Sequence, residues 1–523
     1  MPRFLRGTLL RLVLLALSVV AVGCIISRGV RISEVRAGPA DSVTVRSAVK
    51  AHLADGSTIV FRRGVTVARD TVRGQGTRFD VALAGAGVAT RIPLDSVLAM
   101  ESFQTEVNGA KTVLYSTLAT AGALLGTVGL ACAADPKCFG SCPTFYADSA
   151  GTPVLEAEGF SSSISPLLEA RDVDRLRAQP GPDGRLRLQV WNEALETHYI
   201  NHLELLEIGH ASDEMALPDE RGRPVVVRAL TEPTLLRDRL GRDLRRTLAR
   251  TDGDVFRTDA RALAAVSPED NDDYIELTAV APAGVDSAAL VLRLRNSLLN
   301  TVVFYDYMLA KPGGRSLDWM AHDLNRIDRM AEVGRWYGQY FGLRVAVRDG
   351  AAWREVAKLS DYGPIAWRDV ALPIPVPRGD SLRLRISFVA DQWRIDRLSL
   401  AGSMRRATPR VVPLASVTDR DGAPVPAALA DLRAADERYL RTTPRQRFTA
   451  TFDVGAEGSS ARTFLLASQG WYTEWVRGSW LKGAHDSTTF SPTSTTLLQA
   501  LRSWSVQRDS MERQFFRSRI PVY

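Results

Sequence analysis

SLRLRISFVADQWRIDRLSLAG, residues 381 to 402, alternates apolar and polar positions so regularly that it reads as strand. Leu382, Leu384, Ile386 and Phe388 fall on one side, and Arg383, Arg385 and Ser387 on the other. One apolar and one charged face is the pattern of a sheet that is buried on one side and wet on the other. Upstream, SAALVLRLRNSLLNTVVFYDYML (287–309), LRVAVRDGAAWREVAKL (343–359) and IAWRDVALPIPV (365–376) have the same character. Between the first two, LNRIDRMAEVGRWYGQYFG (324–342) reads as a helical insert. Strands of this length separated by turns predict a β-sandwich over 270–402.

Working outward, the rest of the chain is also mainly strand-like. In TVRSAVKAHLADGSTIVF (44–61) the Asp55-Gly56 turn between alternating runs is a hairpin signature. Further strands follow in TRFDVALAGAG and ATRIPLDSVLAMESF, giving a small β-barrel-like domain over 44–105. RLRLQVWNEA, YINHLELLEIGH and PVVVRAL mark a β-rich domain over 135–265, within which LLRDRLGRDLRRTLART (235–251) reads as helical. Residues 403–445 read as a linker with a helix at PAALADLRAADERYL. RFTATFDV, RTFLLASQGWYTEW and the helical LLQALRSWSVQRDSMERQFF make a C-terminal β-rich domain over 446–523.

The N-terminus supplies an address. Arg3, Arg6 and Arg11 precede a short apolar core, Leu12 to Val22, too short to span a bilayer comfortably but suited to a secretory signal. It ends in Ala21-Val22-Gly23-Cys24, which resembles the lipobox of bacterial lipoproteins. That resemblance implies removal of residues 1–23, lipidation of Cys24, a linker over 24–43 and anchoring in the cell envelope. The partners it implies are the membrane and an envelope protein or glycan, with the outer membrane facing the periplasm or exterior as the location. Loss of the leader takes the formal charge from +7 to +4, close to neutral for the remaining length, and no basic run is interleaved with aromatics. Nucleic acid is therefore not an expected partner. Residues 112–134, inside a predicted apolar helix over 110–134, carry no charge. At 1.5 Å rise per residue that stretch either crosses a membrane or packs as an apolar helix against its neighbours.

Three further resemblances come from short stretches. LADGSTIVF and IPLDSVLAMESF look like the small Sm/SH3-like barrels beside lipoprotein anchors. Trp393-Arg394-Ile395-Asp396-Arg397-Leu398 resembles the closing strand of galactose-binding-like jelly rolls, with Arg397 where that pattern has a second aspartate. CFGSCPTFYADSAG, VWNEALETHYINHLELLE and FLLASQGWYTEW resemble a group of uncharacterised bacterial lipoproteins. The fold expectation is thus a mainly β chain: an Sm/SH3-like barrel, an apolar helix, a jelly-roll-like sandwich and a C-terminal β-rich domain with some helices.

Candidates for chemistry are few. Cys138 and Cys142 stand four apart, and in an exported chain a structural disulfide between them is the first expectation. A bridge through Cys132, or a metal site needing a further ligand, are the alternatives. His198 and His202 have the i, i+4 spacing of a helical zinc pair, but Tyr199 stands where the general-base glutamate belongs. On a strand the two imidazoles would share a face about 13 Å apart, too far for one metal. Glu269, Asp270, Asp272 and Asp273 form an acidic cluster at the mouth of the sandwich, a weak candidate for calcium beside the plainer reading of a solvated loop. Trp471, Tyr472, Trp475 and Trp480, with Trp353, Trp367 and Trp393, offer stacking platforms for a sugar or, equally, core packing. No G-x-S-x-G, no accompanied S-x-x-K and no phosphate-cradling glycine loop is present, so no catalytic residue and no cofactor are assigned. These observations predict a non-catalytic, lipid-anchored envelope protein acting as a binding or structural scaffold. Glycan binding through sandwich aromatics is the alternative, and an uncharacterised hydrolase comes third.

Overall fold

The computed structural model describes residues 42–80, 84–103, 142–455, 461–483 and 493–517. Cys24, Cys132, Cys138 and the apolar stretch 112–134 lie outside the described residues. Among the described residues the chain is mainly β, and no helix is long and apolar enough to cross a membrane.

The alternating run that opens the sequence reading forms two strands, Ser381–Val389 and Trp393–Arg406, which enter different sheets. Ser381–Val389 lies between Asp272–Val280 and Leu343–Asp349 in a five-stranded sheet edged by Leu235–Asp238 and Ala352–Leu359. Trp393–Arg406 lies between Pro224–Thr231 and Ser287–Asn296 in a second, edged by Glu214–Pro218 and Arg368–Pro375. Leu277, Leu384 and Ile386 of the first sheet share one core with Leu292, Leu372 and Ile395 of the second. The sheets draw in strands from 214–238, upstream of the expected sandwich boundary.

LLRDRLGRDLRRTLART is not helical. Leu235–Asp238 is strand, and the Asp238 carboxylate accepts from the backbone N–H of Leu240 and Arg242 at 3.0 and 2.8 Å. With Gly241 at φ +81°, that side-chain-closed turn ends the helical option. Conversely, the expected long strand after Asn296 becomes helix from Leu299, where Ser297 Oγ accepts from the Leu299 N–H at 3.1 Å. It continues as a π-helical segment, Val303–Ala310, and the insert ends with the helix Ile327–Tyr340.

A curled sheet holds the seven strands between Ser42 and Phe103, including the Asp55-Gly56 hairpin (Ala48–Leu53 with Thr58–Phe61), with Gly56 at φ +84°. Its eighth strand, Val476–Arg477, comes from far down the chain. The insert packs against this sheet: Asp318 accepts from the backbone N–H of Arg46 and Ser47 at 3.0 and 2.8 Å, and Phe61 and Val67 share a core with Leu317 and Trp319.

The expected C-terminal domain does not form a sheet of its own among the described residues. Ala461–Glu474 pairs along its length with Glu196–His210, and Arg447–Asp453 pairs with Arg185–Trp191, inside one curled nine-stranded sheet. The expected linker 403–445 gives that sheet the strands Arg410–Asp419 and Leu440–Thr442, with the short helix Pro426–Leu432 between them.

The nine-stranded sheet and the pair of five-stranded sheets meet at Arg368, which is 5% exposed. Its guanidinium reaches Asp172 and Asp174, each at 2.8 Å, donates to the Glu158 carbonyl at 2.7 Å and lies 4.3 Å over the Tyr362 ring. The Glu158 carboxylate accepts from the backbone N–H of Ile365 and Ala366 at 2.8 and 2.9 Å. A Cβ at Gly363 would fall 2.1 Å from that carboxylate, so only glycine fits there. Close by, Arg293 pairs with Asp369 and Asp396 at 3.0 and 3.1 Å. Burial, against the pull of Arg368 and aided by Asp172, pushes Asp174 up to about 7.

A carboxyl whose pKa is raised in the folded state contributes most below its unfolded value, and that contribution falls as pH rises through the folded one. Asp174 therefore makes the fold lose stability between about pH 4 and pH 7. Asp174→Asn leaves Arg368 its Asp172 partner and removes this part of the pH slope. We expect the variant to match or exceed the parent at pH 8 by on the order of 1 kcal/mol, and to lose that advantage at pH 5. Urea unfolding midpoints at the two pH values measure it; a deficit at pH 8 larger than at pH 5 would contradict the assignment.

Candidate functional site

The long strand Glu196–His210 carries a bulge between Ile200 and His202. It leaves His198 fully buried and His202 half-buried on the opposite face. The shared face expected of an unbroken strand is lost, and the two imidazoles point apart. Cys142 is buried just before the strand Thr144–Ser149.

Around His198 the strand edges and the insert bring together groups that lie far apart in sequence. Glu196 and Glu474, both fully buried, face each other across paired strands. The Tyr305 hydroxyl from the π-helical segment bridges them, 2.8 Å from Glu474 and 3.4 Å from Glu196. His198 Nε2 lies 3.2 Å from Glu196, and Thr442 Oγ1 3.3 Å from His198 Nδ1. Arg477 ion-pairs with Glu474 and lies 5.0 and 4.7 Å over the rings of Tyr305 and Trp480. Alongside, Glu193 accepts from Thr144 at 2.8 Å and from the Tyr146 hydroxyl at 2.6 Å. Burial, reinforced by Glu196, holds the Tyr305 phenol well above its ordinary pKa, so it stays a donor at neutral pH. Burial also lowers the pKa of Arg477, against the pull of Tyr305 and Glu196. Two carboxylates joined by a phenol and neutralised by a guanidinium could in principle trade a proton. Every member is buried, and together they tie strand, insert and curled sheet to one another. The sequence hint was the N-E-x-x-E run at Asn192 to Glu196; Tyr305 and Arg477 gave none.

A second node closes the seam between the two curled sheets. Glu101, 1% exposed, receives Lys50 at 3.0 Å, His52 at 3.3 Å, Arg441 at 3.3 Å and the Thr197 hydroxyl at 2.6 Å. Burial pushes its carboxyl up, but Lys50, His52 and Arg441 outweigh that and hold it well below the usual range. Trp475 stacks on His52 at 3.8 Å and donates to Thr197 at 2.9 Å.

These contacts decide the aromatic candidates. Tyr472, Trp475 and Trp480 are 6%, 5% and 7% exposed and serve as packing, not as an open sugar platform. Trp471 is half-buried, stacked on Tyr199 at 3.9 Å and met edge-on by Tyr439. Trp393 is fully buried, whereas Trp353 and Trp367 are half-buried.

The acidic cluster does not converge on one point. Asp270 pairs with Arg239, Asp272 with Arg344 at 2.5 Å, and Asp273 turns inward to accept from the Thr258 hydroxyl at 2.6 Å. No group of three or more metal-ligating side chains occurs among the described residues. Glu269, Asp270 and Asp272 instead line a polar cavity of about 320 Å³ with Gln339, Tyr340 and Arg344.

No family model matches the chain, and no curated protein matches it in sequence. Among solved structures it is similar to the C-terminal CBM6 of a laminarinase, LamC, from Zobellia galactanivorans, at 10% identity, with 38% of this chain and 98% of that one covered and a TM-score of 0.13. It is also similar to the secreted serine protease VesC from Vibrio cholerae, at 9% identity, over 51% of this chain and 56% of that one, with a TM-score of 0.15. Allantoicase matches at 10% identity over 50% of this chain and 91% of that one, also at 0.15. Similarity this low transfers no activity to the chain.

If the Glu474 node is a clasp, breaking it should cost stability. Arg477→Met leaves Glu474 buried without its cation and should lower unfolding free energy by about 3–5 kcal/mol. Adding Glu474→Leu should recover part of the loss, because the uncompensated charge goes with it. Denaturant melts of the two single variants and the double variant measure the coupling; strictly additive losses would speak against a paired node.

Proposed function

We propose that the chain is a lipid-anchored protein of the bacterial cell envelope whose joined sheets act as a rigid, non-catalytic binding or structural scaffold. The observation that carries this reading is where its titratable groups go. The paired carboxylates, the buried histidine and the partnered arginines sit at junctions between sheets, paired with one another. Exact placement matters there for holding elements in register, and none of these groups is offered to a substrate. The basic n-region, apolar core and Gly23-Cys24 boundary support export and lipidation. Several acyl chains on Cys24 would anchor it stably, at about 0.8 kcal/mol per buried methylene. Buried rings at Tyr472, Trp475 and Trp480 favour a scaffold over glycan binding through that cluster.

Metabolic labelling with an alkyne fatty acid tests the anchor. The parent chain should take up label, Cys24→Ser should not, and protease added after outer-membrane permeabilisation should digest the segments beyond residue 134. Label that persists in the serine variant, or full protection of the sandwich, would overturn this placement.

A further inference from the structure

The outer face of the sheet containing Ser381–Val389 carries a charge pattern that packing does not require. Outward positions along Asp272–Val280, Ser381–Val389 and Leu343–Asp349 alternate with buried ones. The register sets Thr278 opposite Arg383, Glu276 opposite Arg385, and Tyr274 opposite Ser387. On the next strand Arg385 faces Ala346 and Ser387 faces Arg344, so one further step sets Arg383 beside Arg348. Arg348 in turn lies opposite Trp353, and Arg344 opposite Lys358. Like charges directly across a strand pair are destabilising, yet this face sets Arg344 opposite Lys358.

Arg237, on the edge strand opposite Glu276, completes a set of six cations: Arg237, Arg344, Arg348, Lys358, Arg383 and Arg385. The same rows hold three carboxylates, Asp272, Glu276 and Glu355, and the edge bridge opposite Arg237 adds Asp243 with its partner Arg245, so an excess of three positive charges remains. Arg344 is held by Asp272 and Arg385 by Glu276, each at 2.5 Å. Among the described residues Arg237, Arg348 and Arg383 form no close ion pair, although Asp243 lies opposite Arg237 and Arg348 Nε donates to the Gly350 carbonyl at 3.0 Å. The guanidinium of Arg385 lies 4.6 Å from both the Tyr274 and Trp353 rings, and that of Arg348 lies 5.3 Å from Trp353. Stacking of this kind fixes the plane of a guanidinium; Glu276 takes the edge of Arg385 and the Gly350 carbonyl takes Arg348 Nε, so the terminal nitrogens of Arg348 and the Arg383 guanidinium are the groups placed to receive a carboxylate or sulfate.

We propose that this face binds an acidic polysaccharide, a chain of uronate or sulfated sugars laid across the sheet with its anions on the arginine rows. The proposal rests on the binding form of the scaffold reading and names its ligand class. Charge complementarity selects a polyanion, and neighbouring cation rows about 5 Å apart suit one that repeats its charge. Nucleic acid fits less well, because guanidiniums already lie over the Tyr274 and Trp353 rings on which a base would stack. A lipid surface fits less well because, of the outward positions along Asp272–Val280, only Val280 offers an exposed aliphatic side chain.

Binding of the full-length lipoprotein in detergent to polygalacturonate and to dextran sulfate, with plain dextran as the neutral control, tests this by calorimetry or affinity electrophoresis. We expect binding to at least one acidic polymer, weakening with salt, and none to plain dextran. Arg348→Glu/Arg383→Glu should weaken it by about tenfold or more, while Arg62→Glu/Arg63→Glu, an equal charge change on the exposed turn of the small sheet, should leave it within about twofold. Trp353→Ala should weaken it at unchanged circular dichroism. Failure to bind either acidic polymer, or equal losses in the two double variants, would overturn the proposal. So would tighter, face-dependent binding to phosphatidylglycerol vesicles or single-stranded DNA. Failure here with Cys24 labelling intact removes only this ligand and leaves the envelope scaffold standing.

Discussion

One buried guanidinium, that of Arg368, holds the architecture together. It begins the edge strand Arg368–Pro375 of the sandwich and is nevertheless satisfied by the other sheet system, through Asp172, Asp174 and the Glu158 carbonyl. Taking a charge out of water costs several kcal/mol, and a pair repays that only when geometry and extra hydrogen bonds are both good. Both are present: two carboxylates, a carbonyl and the face of Tyr362 surround one side chain. Such a contact adds little net stability compared with apolar packing, but it tolerates only one relative placement of the two sheet systems. Gly363 applies the same constraint sterically, since the Glu158 carboxylate occupies the space a side chain would need.

The other junctions repeat the device with different residues. Glu101 closes the seam between the curled sheets, and Glu474 with Arg477 and Tyr305 ties the insert to the long strands. Asp391, fully buried at φ +61°, holds the terminal helix Ser494–Arg517 by accepting from Trp504 at 2.7 Å and meeting Arg508 at 3.3 Å. Apolar contact is forgiving about register, because a methyl group packs almost as well after a small slide. A buried charge is not forgiving, because a slide leaves it unpaired. A chain whose described residues thread back and forth between four sheets has many near-equivalent ways to dock them, and buried charges narrow that choice.

This explains what could be read from the sequence. Local pattern was informative wherever one strand's two faces differ, so the alternating run 381–402, the Asp55-Gly56 hairpin and the helix Ile327–Tyr340 could all be placed in advance. Pairing between distant strands was not legible. Nothing in RTFLLASQGWYTEW says that it lies along YINHLELLEIGH rather than beginning a domain of its own, nor that Val476–Arg477 completes a sheet begun at Ser42. Turn chemistry overrode composition at Asp238 and Gly241, where a helix-forming mixture of leucine and arginine was bent by one carboxylate. The bulge beside His202 left no trace in residue type, yet it reversed the relation of two histidines. Site candidates are hard to rank for a related reason: tryptophan and carboxylate look alike in sequence whether they meet a ligand or another side chain.

The arginines show how the two cases can be separated. Of the 66 basic residues six are lysine, so arginine carries nearly every cationic role, structural or otherwise. At the junctions Arg368 and Arg477 are buried and Arg441 is half-buried, and each is matched by a carboxylate, so its charge is consumed within the fold. On the open sheet face Arg344 lies opposite Lys358, while Arg348 and Arg383 form no close ion pair among the described residues. Stability alone would favour an acid or a neutral side chain at one of those positions, as Glu276 sits opposite Arg385. An uncompensated row inside a chain that compensates its buried charges so thoroughly is where local rules give way, and such places are where a partner is expected to complete the pairing.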